Sequence, residues 1–151
     1  MVASQVAASF LLMAGMFASA LAWFSWRIAR LPVDAPERIV GELRLSQAGS
    51  TLLAITAAIY AGLAASAEST PGASSDVALA GAFAGVALLA HLREPRVALM
   101  WLAGAFAAHA LIDIAHRPGL LPVLAPRWLA AGGAAFDLIF AAICFFPLVK
   151  R

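Results

Sequence analysis

The chain is poor in charge: only 12% of its 151 residues are Asp, Glu, Lys or Arg, against roughly 25% in an average soluble domain. So few ionised groups cannot cover the outside of a soluble fold, and a mean hydropathy of +0.93 puts the chain in the membrane class. Cysteine is nearly missing. Cys144 stands alone, which excludes an internal disulfide and a multi-cysteine metal cluster and leaves it as a small core residue. There is no G-x-x-x-x-G-K-S/T, no G-x-G-x-x-G and no H-E-x-x-H, so nothing suggests ATP use, dinucleotide binding or a zincin-type protease. A dense basic tract is also missing. The formal charge of +2 comes from basic residues at the ends of apolar stretches, a distribution that orients membrane spans and argues against a nucleic-acid partner.

Apolar residues make up 64% of the chain, and they fall into stretches of membrane-crossing length. The sequence predicts an all-α integral membrane protein, a single helical domain over 1–151. Its five transmembrane spans lie at about 6–28, 47–67, 77–92, 97–116 and 129–148. The third is short for a hydrocarbon core of about 30 Å, which leaves a four-span variant open. The first stretch begins without a basic segment and ends in Trp23, Trp26, Arg27 and Arg30, so it reads as a retained span with an interfacial stop rather than a cleaved signal. Phe10, Phe17 and Phe24 recur along it every seventh residue, a packing or lipid-facing stripe.

Between the first two spans, Pro32 and Pro36 break the helix. Residues 36–46 then mix Ile39, Val40, Leu43 and Leu45 with Glu37, Arg38, Glu42 and Arg44. This pattern predicts an interfacial amphipathic segment, capped through Asp34 and Glu37, that leads into span two. On span two, Thr56 and Tyr60 share a face and are placed to line a polar path, although a threonine can also satisfy its hydroxyl on its own backbone. Gly81 and Gly85 on span three form a GxxxG that permits close helix approach. Pro118, Pro122 and Pro126 keep the last connection from being helical.

Basic residues orient this arrangement. With the N-terminus outside, the inner segments hold Arg27, Arg30, Arg38, Arg44, Arg93, Arg96, Lys150 and Arg151, and the outer ones hold Arg117 and Arg127. The bias predicts an N-out, C-in, multi-pass protein of the plasma membrane, which in a bacterial cell is the inner membrane. Membrane lipids are its obligatory neighbours. So small a bundle often cannot enclose a complete pathway, which points to a homo-oligomer or a larger membrane complex.

The chemistry concentrates on span four. His109, Asp113 and His116 follow one another at i, i+4 and i+7 and so project from one face. At about 1.5 Å per residue, His116 reaches the outer interface, with Asp113 about 4–5 Å and His109 about 10 Å below it. Span five descends from the same side and brings Asp137 about 12 Å below Leu129, to the depth of His109. A carboxylate at that depth costs several kcal/mol unless it is protonated, paired or wet, so the two are expected to meet.

Three readings fit this face. In one, histidines clamp Asp113 and Asp137 to fix helix packing. In another, His109, Asp113, His116 and Asp137 ligate a divalent metal, because imidazole and carboxylate suit Zn, Fe or Mn. In the third, His109, Asp113 and Asp137 handle a proton or small ligand in an outward-facing pocket, as in a transporter or transport-associated component, the alternatives being a membrane-embedded enzyme doing acid–base chemistry on a lipid-soluble substrate and a non-catalytic subunit of a larger membrane complex. A haem held by His109 and His91 is disfavoured, since the two approach opposite membrane sides. Arg117, Arg127 and Trp128 rim the outer mouth, placed for an anionic substrate or, more simply, for snorkelling and interfacial anchoring. The topology has a direct check: a C-terminal fluorescent-protein fusion is expected to fluoresce in the cytoplasm, and a C-terminal alkaline phosphatase fusion to remain inactive.

Overall fold

Prolines set where two of the helices begin. Pro36 and Pro95 lie in the first turns of α2 (Pro36–Ser66) and α4 (Pro95–Ala115), where a missing N–H has no intrahelical partner to lose. The computed structural model describes residues 2–67, 72–116, 121 and 126–149, with the side chains of 2–4, 6 and 127 left aside. The described residues form no strand; their remaining elements are α1 (Val2–Ala29), α3 (Ala73–His91) and α5 (Arg127–Val149). All five helices are long and apolar enough to cross a membrane.

The third helix is longer than the sequence suggests. Gly72, at φ 93°, makes a left-handed turn that a side chain would disfavour. Ala73–Asp76 then enter the helix instead of the preceding loop. The 19 residues of α3 extend about 28 Å, close to the roughly 30 Å of a bilayer's hydrocarbon core. The described residues thus hold five apolar helices of spanning length.

Residues 36–46 do not form an interfacial segment of their own. α2 continues from Pro36 to Ser66 without interruption, and Ala35 begins it with no side-chain cap, so Asp34 plays no such part. The polar residues expected among headgroups turn inward: Arg38 and Glu42 are 1% and 3% exposed. The helical period explains this, because Arg38, Gly41, Glu42 and Leu45 fall on one face and the charges find partners inside. Arg38 donates from Nε to Glu42 Oε1 (3.0 Å), from Nη1 to the Leu31 carbonyl (2.8 Å) and from Nη2 to the Pro147 carbonyl (2.7 Å). Arg96 donates to the same Glu42 oxygen at 3.1 Å. A single guanidinium thus ties the exit of α1, the start of α2 and the last turn of α5.

α4 is the central helix. Ala98, Leu99, Leu102, Phe106 and Ala110 are fully enclosed as α4 packs most extensively on α5 and also on α2 and α3. α1 lies at the periphery against α5 and α2, and the buried Ser25 hydroxyl donates to the Ile143 carbonyl at 2.7 Å. Gly49 lets α2 approach Leu102 and Cys144, and Gly41 sits so close to Ile28 that a Cβ would meet it at 2.8 Å. Gly81 and Gly85 face open space instead, so their GxxxG mediates no contact among the described residues. Leu12, Met16, Leu88, Met100 and Leu111 point outward, a surface suited to hydrocarbon rather than water.

The buried node at the arginine-rich end has a stability consequence. Arg38→Met leaves Glu42 with Arg96 alone and strands two carbonyls, and it is expected to cost about 3–5 kcal/mol. Arg96→Met removes a partner that is one-third exposed and should cost about 1 kcal/mol or less. Thermal unfolding of the two variants in the same detergent checks the order.

Candidate functional site

Four helices carry polar side chains into the opposite half of the bundle. α4 supplies His109 and Asp113, one turn apart on its inward face, α5 supplies Asp137, α2 supplies Tyr60 and α3 supplies Asp76. His109, Asp113, Asp137 and Asp76 are each 3% exposed. Their carboxylates can only be satisfied by other groups in the bundle.

The nearest contact is between His109 Nδ1 and Asp137 Oδ2, at 2.7 Å. The pair matched in depth from the sequence is therefore in hydrogen-bond contact across α4 and α5. The same nitrogen is 3.8 Å from Asp113 Oδ1, and Tyr60 donates its hydroxyl proton to that oxygen at 2.5 Å. Two rings fix the imidazole edge-on: Tyr60 at 5.1 Å between centroids and Phe83 at 4.8 Å. His109 is thereby held with one face of its chemistry toward both carboxylates.

His116 does not join this group. His116 closes α4 with its N–H still bonded to the Ile112 carbonyl at 3.0 Å, so its ring keeps the inward side that the i+7 spacing implies, 6.0 Å from the Tyr60 ring, but it meets a different carboxylate. Its Nδ1 bonds the Ile112 carbonyl at 2.8 Å, and its Nε2 lies 3.2 Å from Asp76 Oδ1. A carbonyl only accepts, so Nδ1 carries a proton. The Nε2–Oδ1 contact then requires another, resident on either the imidazole or the carboxyl group. Asp76 had no role in the sequence because it was assigned to a loop. Extending α3 by one turn and matching its depth against α4 is the signal that finds it.

Polar capacity remains in both clusters. Among the described residues, Asp113 Oδ2 and Asp76 Oδ2 are buried without a hydrogen-bond partner. Asp113 Oδ2 rests against the bare Cα of Gly133, where a Cβ would collide with it. A void of about 10 Å³ lies among Tyr60, Asp76, His109 and His116, the size of one water molecule.

A larger cavity of about 390 Å³ lies between α1, α2 and α5. Phe10, Met13, Phe17, Ile55, Phe136 and Phe140 build its walls, and Asp137, Tyr60 and Thr56 add the polar side chains. Met13 is 71% and Ile55 52% exposed, so the rim is on the flank of the bundle and the cavity opens sideways. Thr56 donates its hydroxyl to the Leu52 carbonyl at 3.0 Å and has no proton to offer a ligand. Trp128, expected at the outer rim, is half-buried and packs edge-on against Phe10 at 6.0 Å, joining α5 to α1. Arg117 and the side chain of Arg127 lie outside the described residues. His91 is exposed at the far end of α3, remote in sequence depth from His109.

His109, Asp113 and Asp137 can each bring a donor atom within 4.8 Å of the other two. Comparisons with protein-family models, curated proteins and solved structures give no match, so function rests on the site itself. The fit of Gly133 to Asp113 makes a prediction. Gly133→Ala and Asp113→Ala should each destabilise the protein, and the double variant should lose less than the sum, with a coupling of about 0.5–3 kcal/mol. Denaturation midpoints of the four proteins in one detergent measure it.

Proposed function

We propose that the chain is a multi-pass membrane protein, N-out and C-in in the plasma membrane, that takes a lipid-soluble molecule with one polar group from the bilayer into the cavity between α1, α2 and α5. Asp137 exchanges a proton with that polar group, and His109, behind it, supplies or stores the proton. The observation that carries the reading is the placement of Asp137. It lines an apolar, sideways-opening cavity while hydrogen-bonded to a buried histidine.

The chemistry follows from the surroundings. Aromatic and aliphatic walls favour an apolar ligand body. A single carboxyl group among them selects a hydroxyl, amine or carbonyl at one end, and in an apolar site that contact counts for more than it does in water. Asp137 is the group placed to touch the ligand; His109 acts through it. The Tyr60 hydroxyl donates to Asp113, which leaves the phenol oxygen free to accept from the ligand. Passage across the bundle would need the cavity to continue toward the arginine-rich end, whereas its lining stops at Leu52 and Phe140. This favours acid–base work on a membrane-dissolved molecule over transport.

A second reading rests on the donor set. Zinc-type ligands at about 2.1 Å from a metal sit about 3.4 Å from each other. His109 Nδ1 is 2.7 Å from Asp137 Oδ2 and 3.8 Å from Asp113 Oδ1, so sub-ångström movements would accommodate an ion. Asp113 Oδ2, without a partner among the described residues, adds a donor. Such an ion would supply Lewis-acid chemistry next to the cavity.

Organic extraction of protein purified in mild detergent, followed by mass spectrometry, tests the leading reading. A lipophilic compound should co-purify with the wild type, fall several-fold in Asp137→Asn and disappear in Ala14→Phe, which fills the cavity without touching the His/Asp group. Equal recovery from wild type and Ala14→Phe sinks the proposal. Metal analysis of the same samples decides the second reading: stoichiometric metal lost in His109→Ala supports it, and its absence from wild type grown with added zinc, iron and manganese rejects it.

A further inference from the structure

At the arginine-rich end, α1 and α2 diverge around a groove of about 510 Å³. Its two walls differ from those of the Asp137 cavity. Phe24, Ile28 and Val40 form an apolar floor and side, while Arg27 and Arg44 line its polar edge together with Glu37. The floor depends on Gly41, whose bare Cα lets Ile28 press against α2. Both arginines are exposed, and no described carboxylate pairs with either. Arg27 lies over the Trp23 ring at 5.1 Å, and next to it Arg30 stacks on Trp26 at 3.8 Å. Tryptophans flanked by arginines mark the level of lipid headgroups.

We infer that this groove binds one anionic phospholipid, with the phosphate between Arg27 and Arg44 and an acyl chain along Phe24, Ile28 and Val40. Two cations and one carboxylate leave the groove with a net charge of +1, which complements a headgroup carrying a single negative charge. Glu37 can accept from a headgroup hydroxyl, as phosphatidylglycerol offers. The geometry is that of a two-part ligand: a polar edge at headgroup level opens directly onto apolar wall. A free phosphate would use the edge and leave the wall bare. The site shares only the membrane placement with the cavity reading above, and it can fail without affecting that reading.

Native mass spectrometry of the protein released from nanodiscs of phosphatidylglycerol, phosphatidylethanolamine or phosphatidylcholine tests the site. Wild type should keep one phosphatidylglycerol molecule in preference to the other two lipids. Retention should fall roughly tenfold to thirtyfold in the Arg27→Gln/Arg44→Gln double variant, at about 1 kcal/mol for each arginine. Val40→Trp, which fills the groove and keeps the charge, should fall comparably, and Arg30→Gln, outside the groove, should stay within about twofold of wild type. Equal retention of the three lipids, unchanged retention in Val40→Trp, or the same loss in Arg30→Gln overturns the inference.

Discussion

A polar group enclosed by apolar helices has to find its partner within the bundle, because no water is at hand to take that place. This constraint accounts for both ends of the molecule. In a chain so short of charge, each buried ionisable residue is costly, and the structure places them in two clusters with little else polar between. The helices are packed by small residues and by contacts such as Phe106 on Phe140; the clusters decide which faces turn inward.

The two clusters differ in how fully they are satisfied. At the arginine-rich end, Arg38 distributes its donors over Glu42 and two carbonyls at the ends of other helices, and Arg96 adds a second cation to Glu42. That node is a fastening. At the other end, His109, Asp113, Asp137 and Tyr60 form one group and Asp76 and His116 a second beside it, and two of their carboxylate oxygens have no hydrogen-bond partner among the described residues. Two of these residues, Asp137 and Tyr60, border a cavity opening on the flank of the bundle. Spare acceptors and a carboxyl group at a cavity wall are what support the proposed reading of a site that binds a ligand and exchanges protons.

Much of this was legible in the residues, and the failures have physical causes. Long apolar stretches bounded by proline and arginine give five helices, since length and hydropathy are properties of the sequence alone. Depth matching paired His109 with Asp137 because consecutive antiparallel helices fix relative height. The same arithmetic missed Asp76, since Gly72 extends α3 by a turn that composition assigned to a loop. His116 lies near Tyr60 as its spacing implies, but its partner is Asp76, which the shorter third span left out. Residues 36–46 looked interfacial because they are charged, yet the pairing of Arg38 with Glu42 and with the Pro147 carbonyl, 109 residues away, makes that face an inner one. Tyr60 was visible as a polar residue on span two, but its partner Asp113 depends on how α2 packs against α4, which no local pattern reveals.

The central claim is that a hydrogen-bonded His109–Asp137 pair borders a cavity reached from the lipid. Electron cryomicroscopy of the protein in lipid nanodiscs tests this most directly. The account predicts Asp137 within hydrogen-bond distance of His109 and elongated density between α1, α2 and α5 that ends against Asp137 and Tyr60. A map in which Asp137 is separated from His109, or in which α1 closes onto α2 and α5 and leaves no cavity, would contradict it.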